Sequence, residues 1–483
     1  MRLAFLSPLP PTRSGVAHYA AMILPVLKRR FEVTAFGSAE GYLAADFDLA
    51  IYQLGNNPHH EFVFAEAMRN PGVVVLHDLV LHHLIVEMTL ARGDAEGYVA
   101  ALTASHGEAG AAWARGRAAG LHSEMGNFLL PGSIDLARRS RAVIVHNRWA
   151  ADRLQSFGVR TPIHVVPHPF VEEIPRDDRE EVRRRLGFGL DDRVIGLFGF
   201  LTSAKRGEVV VEAFRAARQR NPRLRLLIVG EPAPNIDVAS LAGEGVTVTG
   251  YVPDQDFGGY YAAADRLVNL RYPSAGETSG TLIRAFAAGK PVAVSDYAQF
   301  AEFPNDVVVK IGFGQDEVAK LTDFFLRDLS DPSDAQRQWL RENATIEKAV
   351  EGYGHALSGA PPASDGRAGE GVGAALPLFP RIAVAGAEVS GDRLLLTLRN
   401  DGSFTLRTWV YGQPGYRTLI KFFDGEREVA DRWVELPGDL APGRSATLEV
   451  PLEGQVLRIY HALEGVPIVD SRPAAELEIP RVQ

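Results

Sequence analysis

The chain has 483 residues, 46% of them hydrophobic, enough apolar material for about three domains with separate cores. It has no cysteine, which excludes disulfides, thiolate nucleophiles and cysteine-held metals and makes a reducing, cytoplasmic compartment the expectation. With 60 acidic against 51 basic side chains, the net charge of -9 gives no overall reason to expect nucleic acid as a partner.

From the N-terminus, short β-branched or apolar runs alternate with helical patterns. Arg2 to Ser7, Glu32 to Phe36, Asp48 to Gln53, Gly72 to His77, Arg141 to Val145 and Ile163 to Val166 read as strands, an alternation that predicts a parallel, doubly wound sheet. Ala91 to Gly120 reads as a helical insertion on that sheet. No stretch reaches the ~18 apolar residues of a membrane helix, and the run before Pro8 is too short for a signal-peptide core. Peripheral contact with a membrane surface through an amphipathic helix stays open.

After a charged helix at Asp177 to Leu186, the alternation restarts with strands near Val194 to Phe198, Arg223 to Val229, Val246 to Thr249, Arg266 to Leu270, Pro291 to Val294 and Val307 to Ile311. Two domains of one class, residues 1–170 and 171–357, are expected to leave a cleft between their sheet edges. Residues 358–376 carry almost no large apolar side chain and read as a flexible linker. Beyond it, residues 377–483 show short β runs such as Arg393 to Arg399 and Thr418 to Phe423, separated by Gly-containing turns, which predict a small β-sandwich.

Chemistry is expected where strands end. Gly15 follows the first strand and opens the first helix, where a ligand can approach the backbone amides, although a lone glycine in such a turn is more often plain turn chemistry. His77 and Asp78 end the fourth strand, which suits a histidine that bonds a substrate hydroxyl or orients Asp78; a satisfied, partly buried histidine fits equally well. His59, His60, His77, His82 and His83 lack the spacing of a zinc site, so no catalytic metal is expected.

In Phe198 to Gly207 a strand leaves into a turn before a helix, with Gly199 at the turn and Lys205 and Arg206 at the helix start. Two cations beside the positive end of a helix dipole are disfavoured unless an anion lies close, which points to a bound diphosphate. The stretch Arg271 to Gly280 places Glu277 before Thr278, Ser279 and Gly280 at another strand-to-helix junction. A carboxylate there commonly caps its helix; beside Lys205 and Arg206 it is better read as part of a sugar-phosphate site.

These elements, in this order, resemble the GT-B glycosyltransferases, in particular the retaining group called glycosyltransferase family four or group 1. The resemblance covers about residues 1 to 357 and is carried by Pro273-Ser-x-x-Glu277 with Gly280, Ala285-x-Ala-x-Gly289-x-Pro-Val292, Ser14-Gly15, His77, Val143 to His146, and Gly199 to Gly207. It implies two tandem Rossmann-like domains, with the nucleotide on the second, the acceptor on the first and a last helix, here Lys348 to Leu357, crossing back. By resemblance, Glu277 contacts donor-sugar hydroxyls, the amides of Thr278, Ser279, Gly280 and Thr281 hold the diphosphate, and Lys205 and Arg206 stabilise the leaving phosphate. Gly15 lines the phosphate and acceptor side, His77 touches the transferred sugar, and Tyr251 faces the nucleobase, though its loop reads equally well as a strand end before a helix cap.

Three places depart from the pattern, one of them Pro167-His168-Pro169, where Asn-Gly is usual after the linker-proximal strand. Phe200 stands where an arginine often follows the phosphate-loop glycine, and the second glutamate expected eight residues after Glu277 is Ala285, or Arg284 when aligned from the helix end. Arg284 is therefore a candidate for the missing phosphate contact. The implied reaction moves a sugar from a nucleotide diphosphate sugar to a glycan, polysaccharide or lipid-linked acceptor, with retained configuration and with no metal or other cofactor. The alternative is a catalytically lapsed GT-B protein that binds nucleotide sugars or assembles with partners. The residues at 377–483 resemble immunoglobulin-like accessory domains only in general, and rings such as Tyr411, Tyr416 and Trp433 read as core or interface before carbohydrate contacts. Oligomeric state is left open.

Overall fold

A computed structural model describes residues 1–12, 14–118, 126–170, 179–234, 236–253, 256–312, 316–329, 331–360, 382–401, 416–425, 427–437, 440–441, 443–453, 456–463 and 475–478. The linker expected at 358–376 lies almost wholly outside these residues, as do Tyr411 and the side chains of Tyr416 and Trp433.

The first sheet is parallel and six-stranded: β1 (Arg2–Leu6), β2 (Glu32–Phe36), β3 (Leu49–Leu54), β4 (Val73–Leu76), β5 (Ala142–Val145) and β6 (Ile163–Val165), in the order β2-β1-β3-β4-β5-β6. Every residue of β3, β4 and β5 is buried, as expected for central strands covered by helices on both faces. The order reverses direction at β1, so the loops after β1 and β3 flank a crevice at the carboxyl edge. Helix α1 (Gly15–Arg30) starts in that crevice, its first turn capped by Ser14. The expected insertion is α2 (Ala95–Ala118), broken at Gly107, which has φ 64°. Helix α3 (Arg148–Ser156) follows β5.

The second sheet repeats the plan with β7 (Arg193–Phe198), β8 (Leu224–Val229), β9 (Val246–Val248), β10 (Arg266–Asn269), β11 (Val292–Ser295) and β12 (Val309–Ile311), ordered β12-β11-β10-β7-β8-β9. Its reversal lies between β7 and β10, so the loop carrying Gly199 to Arg206 and the loop carrying Arg271 to Glu277 are neighbours. A bond from the Tyr272 amide to the Ala204 carbonyl, 2.8 Å, joins the two loops directly. Helices α4 (Gly207–Arg220) and α5 (Gly280–Ala287) begin at these loops.

The final helix of this region, α6 (Ile346–Ser358), returns to the first domain. Its Ala349, Val350, Tyr353, Ala356 and Leu357 share one apolar cluster with β1, β3, β4 and β5, and the Tyr353 hydroxyl lies 3.0 Å from that of Tyr19 on α1. Beyond it, two antiparallel sheets, β13-β14-β17 and β16-β15-β18-β19, pack as a β-sandwich: β13 (Ile382–Ser390), β14 (Arg393–Asn400), β15 (Tyr416–Asp424), β16 (Arg427–Glu435), β17 (Ser445–Pro451), β18 (Val456–Leu463) and β19 (Ala475–Glu478). Leu394, Leu396 and Leu398 of one sheet meet Ile420, Phe422 and Ile459 of the other. Leu436 and Leu440, after β16, belong to the apolar cluster of the first domain, so the sandwich is docked there.

Candidate active site

Glu277 sits between the domains, at the reversal point of the second sheet. One carboxylate oxygen accepts the Arg271 Nε at 2.7 Å; the other accepts the Ala275 amide at 3.0 Å and the Ser274 hydroxyl at 3.3 Å. Gln299 donates to the Glu277 carbonyl at 2.7 Å and accepts from the Ser274 hydroxyl at 2.8 Å, so the turn is held from both sides. Glu277, Thr278 and Ser279 line a cleft of about 420 Å³ whose opposite wall carries His146, Asn147 and His168 of the first domain.

Helix α5 begins beside this turn. The Ser279 hydroxyl accepts the Leu282 amide at 3.3 Å and, with the Thr281 hydroxyl, converges on the Asn269 amide oxygen at the end of β10. Gly280 is exposed, and a Cβ there would meet nothing within 4 Å, leaving the helix start open to an anion. Gly199, by contrast, has φ 87°, and a Cβ on it would lie 2.7 Å from the Lys205 Nζ and 3.1 Å from Thr281. Only glycine allows this close approach of β7, Lys205 and α5. Lys205 is buried, donates to the Phe198 carbonyl, and is held well below the usual lysine range by burial and by the Arg271 charge, against the opposing pull of Glu277. Lys205, Arg271, Glu277 and the α5 start are thus one cluster.

Arg206 is not brought to this cluster. The turn puts it at φ 57°, and its guanidinium runs inward to a bidentate pair with Glu317, at 2.9 and 2.6 Å, both side chains buried. The anion that relieves Arg206 at the start of α4 is therefore the chain's own Glu317, and the expected placement of Arg206 against a leaving phosphate is corrected. The guanidinium that joins Lys205 and Glu277 is that of Arg271, 2.7 Å from Glu277. Arg271 opens the Glu277 stretch in sequence, but only the fold turns its guanidinium onto Glu277.

His77 is likewise turned away. Its Nε2 lies 2.7 Å from the Gln53 side-chain oxygen and its Nδ1 3.2 Å from the His146 Nε2, while Tyr19 packs edge-on at 4.6 Å. Burial, with His146, His168 and His60 close by, holds the ring well below the usual histidine range. These polar partners of its ring, Gln53 and His146, both belong to the first domain, and Asp78 follows it at the end of β4. Asp78 accepts the Asn56 amide at 2.7 Å and is pushed up to about 7 by burial and by the Glu277 charge. The Glu277 charge of the second domain thus adds to burial in raising the Asp78 carboxyl of the first.

Of the other expected contacts, Gly15 opens α1, next to Val16, whose side chain approaches Gly55 together with the Asp78 carboxylate. Tyr251 is 55% exposed in the loop after β9, and Phe200 is 54% exposed in the loop after β7. Arg284 lies with its guanidinium 5.7 Å from the Phe257 ring centre. Among the described residues no group of three or more His, Cys, Asp or Glu side chains could hold a metal ion, and no helix is long and apolar enough to cross a membrane.

Residues 192–331, which hold Gly199, Lys205, Arg271, Glu277 and α5, match the family described as glycosyl transferases group 1. The chain carries a group 1 glycosyltransferase domain. A curated relative, mannosylfructose-phosphate synthase of Agrobacterium fabrum, is 31% identical over 164 residues, covering 29% of this chain and 34% of the relative. The match therefore spans about a third of that relative's length. Among solved structures, sucrose-phosphate synthase from Thermosynechococcus elongatus has a TM-score of 0.52 at 15% identity, over 74% of this chain and 98% of that one. Anabaena HepE in complex with UDP-glucose has a TM-score of 0.50 at 16% identity, over 74% of this chain and 99% of that one. These likenesses show the fold: two facing Rossmann-like domains of the GT-B type, with a β-sandwich added after the group 1 glycosyltransferase domain.

Proposed function

We propose that the protein is a retaining glycosyltransferase that moves a sugar from a nucleotide diphosphate sugar to a glycan or lipid-linked acceptor. The observation that carries the proposal is the convergence of Glu277, Arg271, Lys205 and the open start of α5 at the reversal point of the second sheet. A carboxylate beside two cations and an exposed helix start suits a ligand with hydroxyls next to a diphosphate. The group 1 family match over these residues supports the same substrate class.

In the proposed reaction the bond between the sugar's anomeric carbon and the phosphate oxygen breaks, and the acceptor oxygen bonds to that carbon on the same face. The acceptor's proton passes to the departing phosphate oxygen, whose charge Lys205, Arg271 and the α5 amides stabilise. Glu277 holds donor hydroxyls, and the first domain, with Asp78 and the Gly15 turn, presents the acceptor. No metal or other cofactor enters this scheme, and we place the enzyme in the cytoplasm, with peripheral membrane contact where the acceptor is lipid-linked.

The exposed Phe200 and the inward Arg206 favour a second reading, a scaffold that binds nucleotide sugars without transfer; Arg271 offsets that loss of charge. The two are separated by incubating the wild-type chain with UDP-, GDP- and dTDP-sugars and acceptor extracts and measuring nucleoside diphosphate release, then the product's anomeric configuration by NMR. Release with the donor's configuration kept is expected. A donor that binds without ever being turned over would establish the scaffold reading, and an inverted product would remove retention.

A further inference from the structure

Asn147 ends the loop after β5 and caps α3, its side-chain oxygen accepting the Ala150 amide at 2.8 Å. The other half of the same amide crosses to the second domain: Nδ2 donates to the Gly276 carbonyl at 2.9 Å. Exchanging the oxygen and nitrogen would set NH2 against an N–H and oxygen against oxygen, so the hydrogen bonds fix the orientation. Asn147 is buried.

The Gly276 to Glu277 turn is pressed onto the first domain at this point. Gly276 has φ 81°, and a Cβ on it would lie 2.9 Å from Leu79 and 3.0 Å from Trp149. The Val80 amide donates to the Ala275 carbonyl at 3.0 Å. Glu302, also from the second domain, accepts the Arg148 and Trp149 amides at 3.2 and 2.5 Å, completing the first turn of α3. All of these bonds cross between the domains.

We propose that Asn147 is a positioning residue that ties the approach of the two domains to the placement of Glu277; its bearing on catalysis rests on the function proposed above. Capping α3 does not by itself call for asparagine, since serine, threonine and aspartate cap as well. Donating across the interface while capping does. Aspartate at 147 would keep the cap and turn a carboxylate toward the Gly276 carbonyl; serine would keep the cap and lack the second donor.

The test compares the full-length wild type with Asn147→Asp and Asn147→Ser, without ligand, by thermal melting and by hydrogen exchange of peptides spanning 78–81 and 272–280. Melting temperatures within about 3 °C of wild type are expected because the cap is retained. Exchange at the Val80 amide is expected to rise about tenfold or more, and kcat to fall by about tenfold with donor KM within about threefold. Unchanged exchange and kcat in both variants at retained melting temperature would overturn the proposal, leaving Asn147 a helix cap alone. Should one variant fail to fold, the other decides. If the wild type turns over no donor, the functional reading fails while the exchange comparison still settles the positioning role.

Discussion

Glu277→Gln is expected to lower kcat/KM by about two to three orders of magnitude while leaving the melting temperature within a few degrees of wild type. Glutamine matches the carboxylate in size and keeps an oxygen for the Ala275 amide, so the turn survives. It removes the charge that balances Arg271, and puts an amide where the donor's hydroxyls need an acceptor. Glu277 is partly exposed at the cleft, with both its oxygens already bonded by its own turn, so its carboxylate is fixed before a ligand arrives. Such preorganisation makes the loss a matter of catalysis as well as binding. Turnover of the variant within about threefold of wild type would reject its role.

The second large effect is expected at the cations. Lys205→Met and Arg271→Ala are each expected to cost about two orders of magnitude in turnover, and the pair to cost less than the product of the single losses, because the two charges act on one group. Arg206→Met separates catalysis from folding. Removing one partner of its buried pair with Glu317 is expected to cost about 3–5 kcal/mol of stability, with turnover per folded molecule little changed. The reverse pattern, a catalytic loss confined to Arg206→Met, would restore the role expected for Arg206 from sequence. Lys205 also gives a protonic signature. Its pKa is depressed in the ligand-free molecule by burial and by Arg271, and an arriving diphosphate favours the charged form and raises it. Between the depressed and the raised value nucleotide binding takes up a proton, seen as a dependence of the binding enthalpy on buffer ionisation that Lys205→Met reduces.

The twelve strands of the α/β region follow the apolar runs to within a residue or two at each end, because central parallel strands buried on both faces are read as unbroken β-branched stretches. The return of α6 and the sandwich were also legible, the first from resemblance and the second from turn spacing. The direction of side chains was not. Arg206 and Lys205 are adjacent in sequence, and whether a guanidinium faces the crevice or the interior depends on a left-handed turn and on Glu317, 111 residues away. His77 is drawn inward by Gln53 and His146, from two other strands and loops. Arg271 shows as a catalytic candidate only when the order β10-β7 sets its loop against that of Lys205. Asn147 did carry a signal, an N-cap residue directly before a helical pattern, yet its second bond to Gly276 belongs to tertiary structure alone.

A crystal structure of the full-length protein with a nucleoside diphosphate tests the central claim most directly. Diphosphate oxygens are expected within about 3.5 Å of the Lys205 Nζ, the Arg271 guanidinium and the first-turn amides of α5, with the base toward Tyr251 and Glu277 facing the space for the sugar. A diphosphate bound away from that cluster, or none at saturating nucleotide, would contradict it.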